Sequence, residues 1–353
     1  MHPDPFLVTP SIKELLHSPA AVRLRWACLQ LLWQATAVVA IALSVTAPRP
    51  ATAADWPEDT NTIESLTPEQ ARKLAEEFPG VRVKIDDHTD CPRGLPLNGL
   101  KALDAETAQA LAKYDKGPVV LNGLTTLDAD TAKALAEFEG LMLSLDGLTT
   151  LDAETAKALA EFEGLMLSLG GLTMLDGDTA KALAAFTGKC LLLSGLTTLD
   201  AETAKTLAEL KSLWLYLLGL TTLDAETAKA LAEFKGFLGL PTEVVKAFFA
   251  KHPLTPETAP VWAALANGDL RQISALDSPD SIAIAQALAT RNGPLALPNL
   301  KKISPKTLAA LIEKEDVEIP LIESLELIPE PDGSVTEDFV IPESLEKRQR
   351  RRP

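Results

Sequence analysis

Three carboxylates, an imidazole and a thiol fall within six residues, at Asp86, Asp87, His88, Asp90 and Cys91. Those donor types could hold a divalent cation. The ligand alternation of a calcium loop is absent, however, and acidic turn-forming residues are also what ends a strand. The stretch is a weak metal candidate resting on Asp86, Asp87, His88 and Asp90, and neither metal nor cofactor is expected. Chemistry is thin elsewhere. Of the other histidines, His2 and His17 precede a long apolar run and His252 is isolated. There is no H-E-x-x-H, C-x-x-C, G-x-S-x-G or phosphate-cradling glycine loop. Catalysis needs unlike residues converging on a point. Here Asp and Glu recur at fixed intervals, which points to capping and surface roles and away from an enzyme.

The formal net charge of -16 gives no basic face for nucleic acid. The apolar share is 46% but the aromatic share only 5%, so Leu and Ala must build the core, as suits a regular layered one. Three cysteines are too few for a disulfide framework. Cys91 and Cys190 lie several repeats apart, beyond disulfide reach, and are not expected to bond.

Residues 1–54 differ from the rest. Lys13, Arg23 and Arg25 precede the run "WACLQLLWQATAVVAIALSVTA" at 26–47, and Ala51 and Ala53 follow as a small-x-small pair. This reads as a cleaved signal peptide or as an uncleaved N-terminal membrane anchor, since about 20 apolar residues span a bilayer. Either one exports the remainder, to the periplasm, the cell surface or the medium.

From Gly99 the chain repeats every 24 residues, with units starting at Gly123, Gly147, Gly171, Gly195 and Gly219. Such a period means a solenoid or related array. In "LDAETAKALAEF", Asp152 suits an N-cap and Glu154 the positive end of the helix dipole. Ala156, Leu159 and Ala160 form one narrow apolar face, and Gly164 is expected to stop the helix. A helix of about ten residues is marginal alone in water, so packing must hold it. "LMLSL" alternates, so Leu165, Leu167 and Leu169 are expected to face the core and Met166 and Ser168 to face away. A strand, a turn, a short helix and another strand make a parallel crossover. No unit can bury its own apolar face, and neighbours do so jointly.

The spacing Phe162-x-x-Leu165-x-Leu167-x-x-Gly170-x-Leu172-x-x-Leu175 resembles the leucine-rich repeat. The family's Asn position falls here on Asn98, Asn122, Asp146, Gly170, Ser194 and Leu218. The two Asn fit, Asp146 and Ser194 substitute in part, and Gly170 and Leu218 cannot. The units are similar to the Leu/Ala-rich "GLTxL…ALA" arrays of exported bacterial proteins. The resemblance implies an α/β solenoid with parallel strands on one face and short helices on the other.

The expected organisation is a signal peptide or anchor at 1–54, a capping repeat and hairpin at 55–98, regular repeats at 99–240, a degenerate helical and repeat region at 241–328, and a disordered tail at 329–353. "DDHTDCPRG" is too short for a parallel crossover. Residues 81–85 and 95–97 are therefore expected to pair antiparallel at the sheet edge, with Pro92 and Pro96 blunting it. Residues 241–268 read as two helices broken by Pro253.

Strand residues facing away from the helices would line one continuous face. Met142, Met166 and Trp214 fall in one row, and Leu192 and Tyr216 in the next. A contiguous apolar patch is unusual on a monomer, and Trp and Tyr are frequent interface anchors. The expected function is an exported, non-enzymatic scaffold that binds a protein or peptide on this face. Its membrane contact is through the N-terminal segment if that is retained. The alternative is a structural element of the cell envelope that self-associates.

Overall fold

The computed structural model describes residue 57 and residues 59–84, 90–291 and 293–330. The apolar run at 26–47, Asp86, Asp87 and His88, and the tail beyond 330 lie outside the described residues. No helix among those described is long and apolar enough to cross a membrane. The chain divides into two compact units, one ending at His252 and one beginning at Pro253.

The first unit carries an eight-stranded sheet whose strands lie in chain order. These are β1 (Val81–Lys84), β2 (Asp90–Pro96), β3 (Val119–Val120), β4 (Met142–Ser144), β5 (Met166–Ser168), β6 (Cys190–Leu192), β7 (Trp214–Tyr216) and β8 (Phe237–Gly239). From β2 onward every pairing is parallel. Seven helices alternate with the strands: α1 (Pro68–Glu77), α2 (Ala105–Leu111), α3 (Ala129–Ala136), α4 (Ala153–Ala160), α5 (Gly177–Leu183), α6 (Ala201–Ala208) and α7 (Ala225–Leu231). An eighth, α8 (Thr242–Lys251), closes the unit. This is an α/β leucine-rich-repeat-like solenoid.

Local chemistry sets each helix. In all six regular units an Asp N-cap accepts the backbone N–H of a Thr three residues on, at 2.7–2.9 Å. That Thr is itself buried, and in four units its hydroxyl donates to a Leu carbonyl of the preceding unit, as Thr179 Oγ1 does to Leu151 at 3.2 Å. One residue type thus closes a helix end and ties two coils together. Ala156, Leu159 and Ala160 are buried, as are Leu143, Leu167, Leu191 and Leu215 on the facing strands. Burying each Leu contributes roughly 1.5–3 kcal/mol, and small Ala lets the helix layer approach the Leu layer.

Two expectations fail within the repeat. Leu165 stays out of the core, and its counterparts Leu141 and Leu213 are about half exposed. Successive amides of Leu165 and Met166 both donate to Leu141 O, at 2.8 and 3.0 Å. Leu165 thus lies one residue before β5 begins and shares its acceptor with the first strand residue, so it falls outside the alternating stretch. Phe162 fills the vacated core place, and Phe138, Phe162 and Phe186 stack with centroids 6.0 and 6.5 Å apart. Gly164 also fails to cap its helix, which ends at Ala160 without any left-handed residue there. Its missing Cβ instead leaves room for the Phe162 ring and for the Gly140 carbonyl.

At the start of the unit, β1 pairs antiparallel with β2 in the register Val81↔Gly94, Val83↔Cys91 and Lys84↔Asp90. Leu95 and Pro96 pair onward with Val119 and Val120, so Pro96 lies inside the sheet rather than at its edge. It is tolerated because Leu95 N and Leu97 N make the bonds to β3. The proline's missing donor faces the side where β1 has already ended. The ammonium of Lys116 donates to the carbonyls of Ala75, Glu76 and Phe78, covering the otherwise open end of α1.

The second unit contains α9 (Ala259–Leu265), α10 (Ser281–Ala289) and α11 (Pro305–Ile312). Its strands are β9 (Ala275–Leu276), β10 (Leu295–Ala296), β11 (Lys302–Ile303), β12 (Val317–Glu318) and β13 (Glu326–Leu327). They form two parallel sheets, β10–β12 and β13–β11–β9. A buried polar chain runs between the layers. Ser281 Oγ meets Thr307 Oγ1, Thr307 Oγ1 meets Ser304 Oγ, and Ser304 Oγ donates to Glu330, each at 2.9 Å.

Candidate functional site

Parallel register places the candidate residues in two files across the strands. Met142 pairs with Met166, then Cys190, Trp214 and Phe237. Ser144 pairs with Ser168, then Leu192, Tyr216 and Gly239. Met142, Met166, Leu192, Trp214 and Tyr216 therefore share one sheet face, opposite the buried leucines.

The two ends of that face differ. Met142 is only 4% exposed, Ser144 2% and Ser168 3%, so Met142 offers no contact area. Met166, Leu192, Trp214, Tyr216 and Phe237 are half-buried, and Leu218 next in line is 52% exposed. The polar end is closed by its own hydrogen bonds. Asn61 Oδ1 accepts from Asn98 N, Asn98 Oδ1 from Asn122 N, Asn122 Oδ1 from Asp146 N and Asp146 Oδ1 from Gly170 N. Ser144 and Ser168 donate their hydroxyls into the same ladder. Asp146 is thus a full ladder member. Gly170 has no side chain to offer Ser194, and the ladder stops there. Beyond that point the face turns aromatic, with the Tyr216 and Phe237 rings 6.1 Å apart and tilted by 46°. Gly239 makes this possible, because a Cβ there would strike the Tyr216 ring.

Two members escaped the sequence reading. Phe237 joins the Trp214 file although it lies 23 residues on, because its unit has one residue fewer between helix and strand. Asn61 lies before the first helix, outside the 24-residue frame, and the hairpin lengthens its separation from Asn98 to 37 residues. The period could have found neither, though the contracted spacing after Phe234 was visible.

The remaining chemistry is structural. The carboxyls of Asp104, Asp152, Asp176 and Asp200 are held below the usual aspartate value, chiefly by the backbone N–H of the Thr each one caps. Burial pushes the Tyr114 hydroxyl up to about 12, and that ring is core. His252 stacks on Phe248 at 4.3 Å. An open acidic groove between Asp176, Asp178, Asp200 and Glu202 is lined by helix caps and first-turn residues. Among the described residues no group of three or more His, Cys, Asp or Glu is placed to hold a metal. Asp86, Asp87 and His88 fall outside them, and of Asp90 only the strand backbone is described. Cys190 is buried in β6, four strand steps from the β2 strand that contains Cys91. Steps of about 4.8 Å put that separation far beyond a disulfide.

No family model matches the chain, and no curated protein matches it. Among solved structures it is similar to an internalin from Listeria monocytogenes, at 14% identity over 69% of this chain and 75% of that one, with a TM-score of 0.31. At that score the two do not superpose as copies, and the architecture stated above rests on the strand register of this chain.

Proposed function

We propose that this protein is an exported, non-enzymatic scaffold that binds another protein or a peptide on the outward face of its eight-stranded sheet. One observation carries the reading. The units are near-identical on the helix side, where "LDAETAKALAEF" returns with few changes, yet they diverge at the outward strand positions. Met142 and Ser144 become Cys190 and Leu192, and then Trp214 and Tyr216. Scaffold positions are held to type by packing, whereas a contact surface is free to specialise. Half-buried Trp and Tyr in adjacent files provide rigid anchor area.

Photo-crosslinking tests the assignment. A benzoylphenylalanine replacing Leu192 is expected to trap a defined protein from cells of the source, and one replacing Glu154 on the helix side is not. Loss of that adduct in Trp214→Ala/Tyr216→Ala supports the site. An adduct indifferent to both changes rejects it. An adduct of the chain with itself supports self-association instead.

A further inference from the structure

The bend between each helix and the next strand carries one exposed residue that changes sign along the array. It is Asp115, Glu139 and Glu163 in the first three regular units, Thr187 in the fourth, and Lys211 and Lys235 in the last two. Lys189 adds a further exposed cation where other units have Leu141, Leu165 and Leu213. These positions precede the strands by up to four residues, so the register that aligns β3 to β8 runs them in file along the edge where the strands begin. Each regular helix from α3 to α7 also carries a Lys, but at the same place every time and with an acidic first turn. The file two residues earlier, at the helix ends, changes sign the other way, from Lys113 in the first unit to Glu209 and Glu233 in the last two, whereas the bend file turns basic toward β8. Lys189, Lys211 and Lys235 take part in no ion pair among the described residues.

The reversal coincides with the change of the sheet face. Where the bend is acidic, the face is closed by Ser144, Asp146 and Ser168. From Lys189 onward, past the neutral Thr187, the face opens onto Leu192, Trp214, Tyr216, Phe237 and Leu218. In a chain of net charge -16, three exposed lysines in file beside aromatic side chains are a departure that the fold does not require, even with Glu209 and Glu233 two residues from Lys211 and Lys235 at the helix ends. Core anchors with a charged rim are how interfaces combine affinity with partner choice. We infer that the β6–β8 end of the face takes an acidic segment of a partner protein, with apolar side chains seated on Trp214, Tyr216 and Phe237 and carboxylates meeting Lys189, Lys211 and Lys235. This inference rests on the strand face being the contact surface.

Fluorescence anisotropy with the full chain and two labelled synthetic peptides tests it. One peptide alternates Leu and Phe with Glu, and the other has Lys in place of Glu. At low salt the acidic peptide binds at least about tenfold more tightly, as expected of complementary charge. The preference shrinks at high salt, where screening shortens to a few ångströms. Lys189→Glu/Lys211→Glu/Lys235→Glu inverts the preference, and circular dichroism shows an unchanged fold because all three side chains are exposed. Trp214→Ala/Tyr216→Ala weakens both peptides. Equal binding of the two peptides, or a preference untouched by the lysine reversals, overturns the acidic-partner inference while dependence on Trp214 and Tyr216 still supports the face. Binding that ignores Trp214 and Tyr216, or no binding of either peptide, overturns both.

Discussion

Asp146 Oδ1 lies 2.6 Å from the backbone nitrogen of Gly170, the residue one unit later in the same place. The same oxygen accepts from Ser168 Oγ, and Oδ2 accepts from Ser144 Oγ at 3.1 Å. One side chain thus joins adjacent coils at the polar end of the sheet face.

Asp146→Ala removes all three bonds and leaves Ser144 Oγ, Ser168 Oγ and Gly170 N with one acceptor fewer. Stranded buried groups cost about 1–3 kcal/mol, so the urea midpoint is expected to fall by that equivalent. Asp146→Asn retains a carbonyl acceptor, as Asn122 already provides one unit earlier, and is expected to lose much less. Equal midpoints for the Ala and wild-type proteins would remove the ladder from the stability account.

The caps make stability acid-sensitive. Asp104, Asp152, Asp176 and Asp200 have folded values depressed below the ordinary 3.8. Their contribution is complete above that ordinary value and is lost as pH falls through the lower folded ones. Urea midpoints should be level between about pH 7 and pH 5 and decline below about pH 4. Asp152→Ser keeps a capping oxygen but cannot titrate there, so its acid-induced decline should be shallower than that of the parent.

Two glycines separate shape from flexibility. A Cβ at Gly164 would strike Phe162 and come within 2.7 Å of the Gly140 carbonyl. Gly164→Ala should destabilise by about 1–3 kcal/mol, the usual cost of overpacking. Gly177 has nothing within 4 Å of a built Cβ and opens α5 where the other regular units have Ala. Gly177→Ala should stabilise by up to about 1 kcal/mol. Thermal unfolding of the two single variants reads both signs.

Glu330 is 4% exposed and accepts from Ser304 Oγ and Lys306 N, both at 2.9 Å. Its carboxylate covers the first turn of α11, a favourable place for an anion. Glu330→Ala removes the acceptor that Ser304 Oγ and the Lys306 amide share, leaving Ser304 Oγ with Thr307. Hydrogen exchange should rise in the first turn of α11, while amides of α4 in the other unit stay protected.

Chemistry that acts within a turn of chain was legible from the residues. The Asp caps, the Ala156–Leu159–Ala160 stripe and the parallel crossover follow from spacing alone, because each obeys a rule spanning only a few neighbours. The period likewise specified which strand pairs with which. Contacts between coils obeyed no such local rule. Leu165 alternates like a core residue, yet it precedes β5, shares its carbonyl acceptor with Met166, and leaves its place in the core to Phe162. Gly164 looks like a helix stop, yet it is Gly because an aromatic ring needs the volume. Asn61 enters the ladder from outside the period, and Phe237 enters the aromatic file across a missing residue. Of the nominated face, the sequence supplied the alternation that put Met142, Met166, Leu192, Trp214 and Tyr216 on one side. Tertiary packing decided that Met142 is closed off and that the accessible part lies toward β8. Accessibility depends on volumes and hydrogen bonds supplied by residues a full unit away, and no single stretch of the chain contains them.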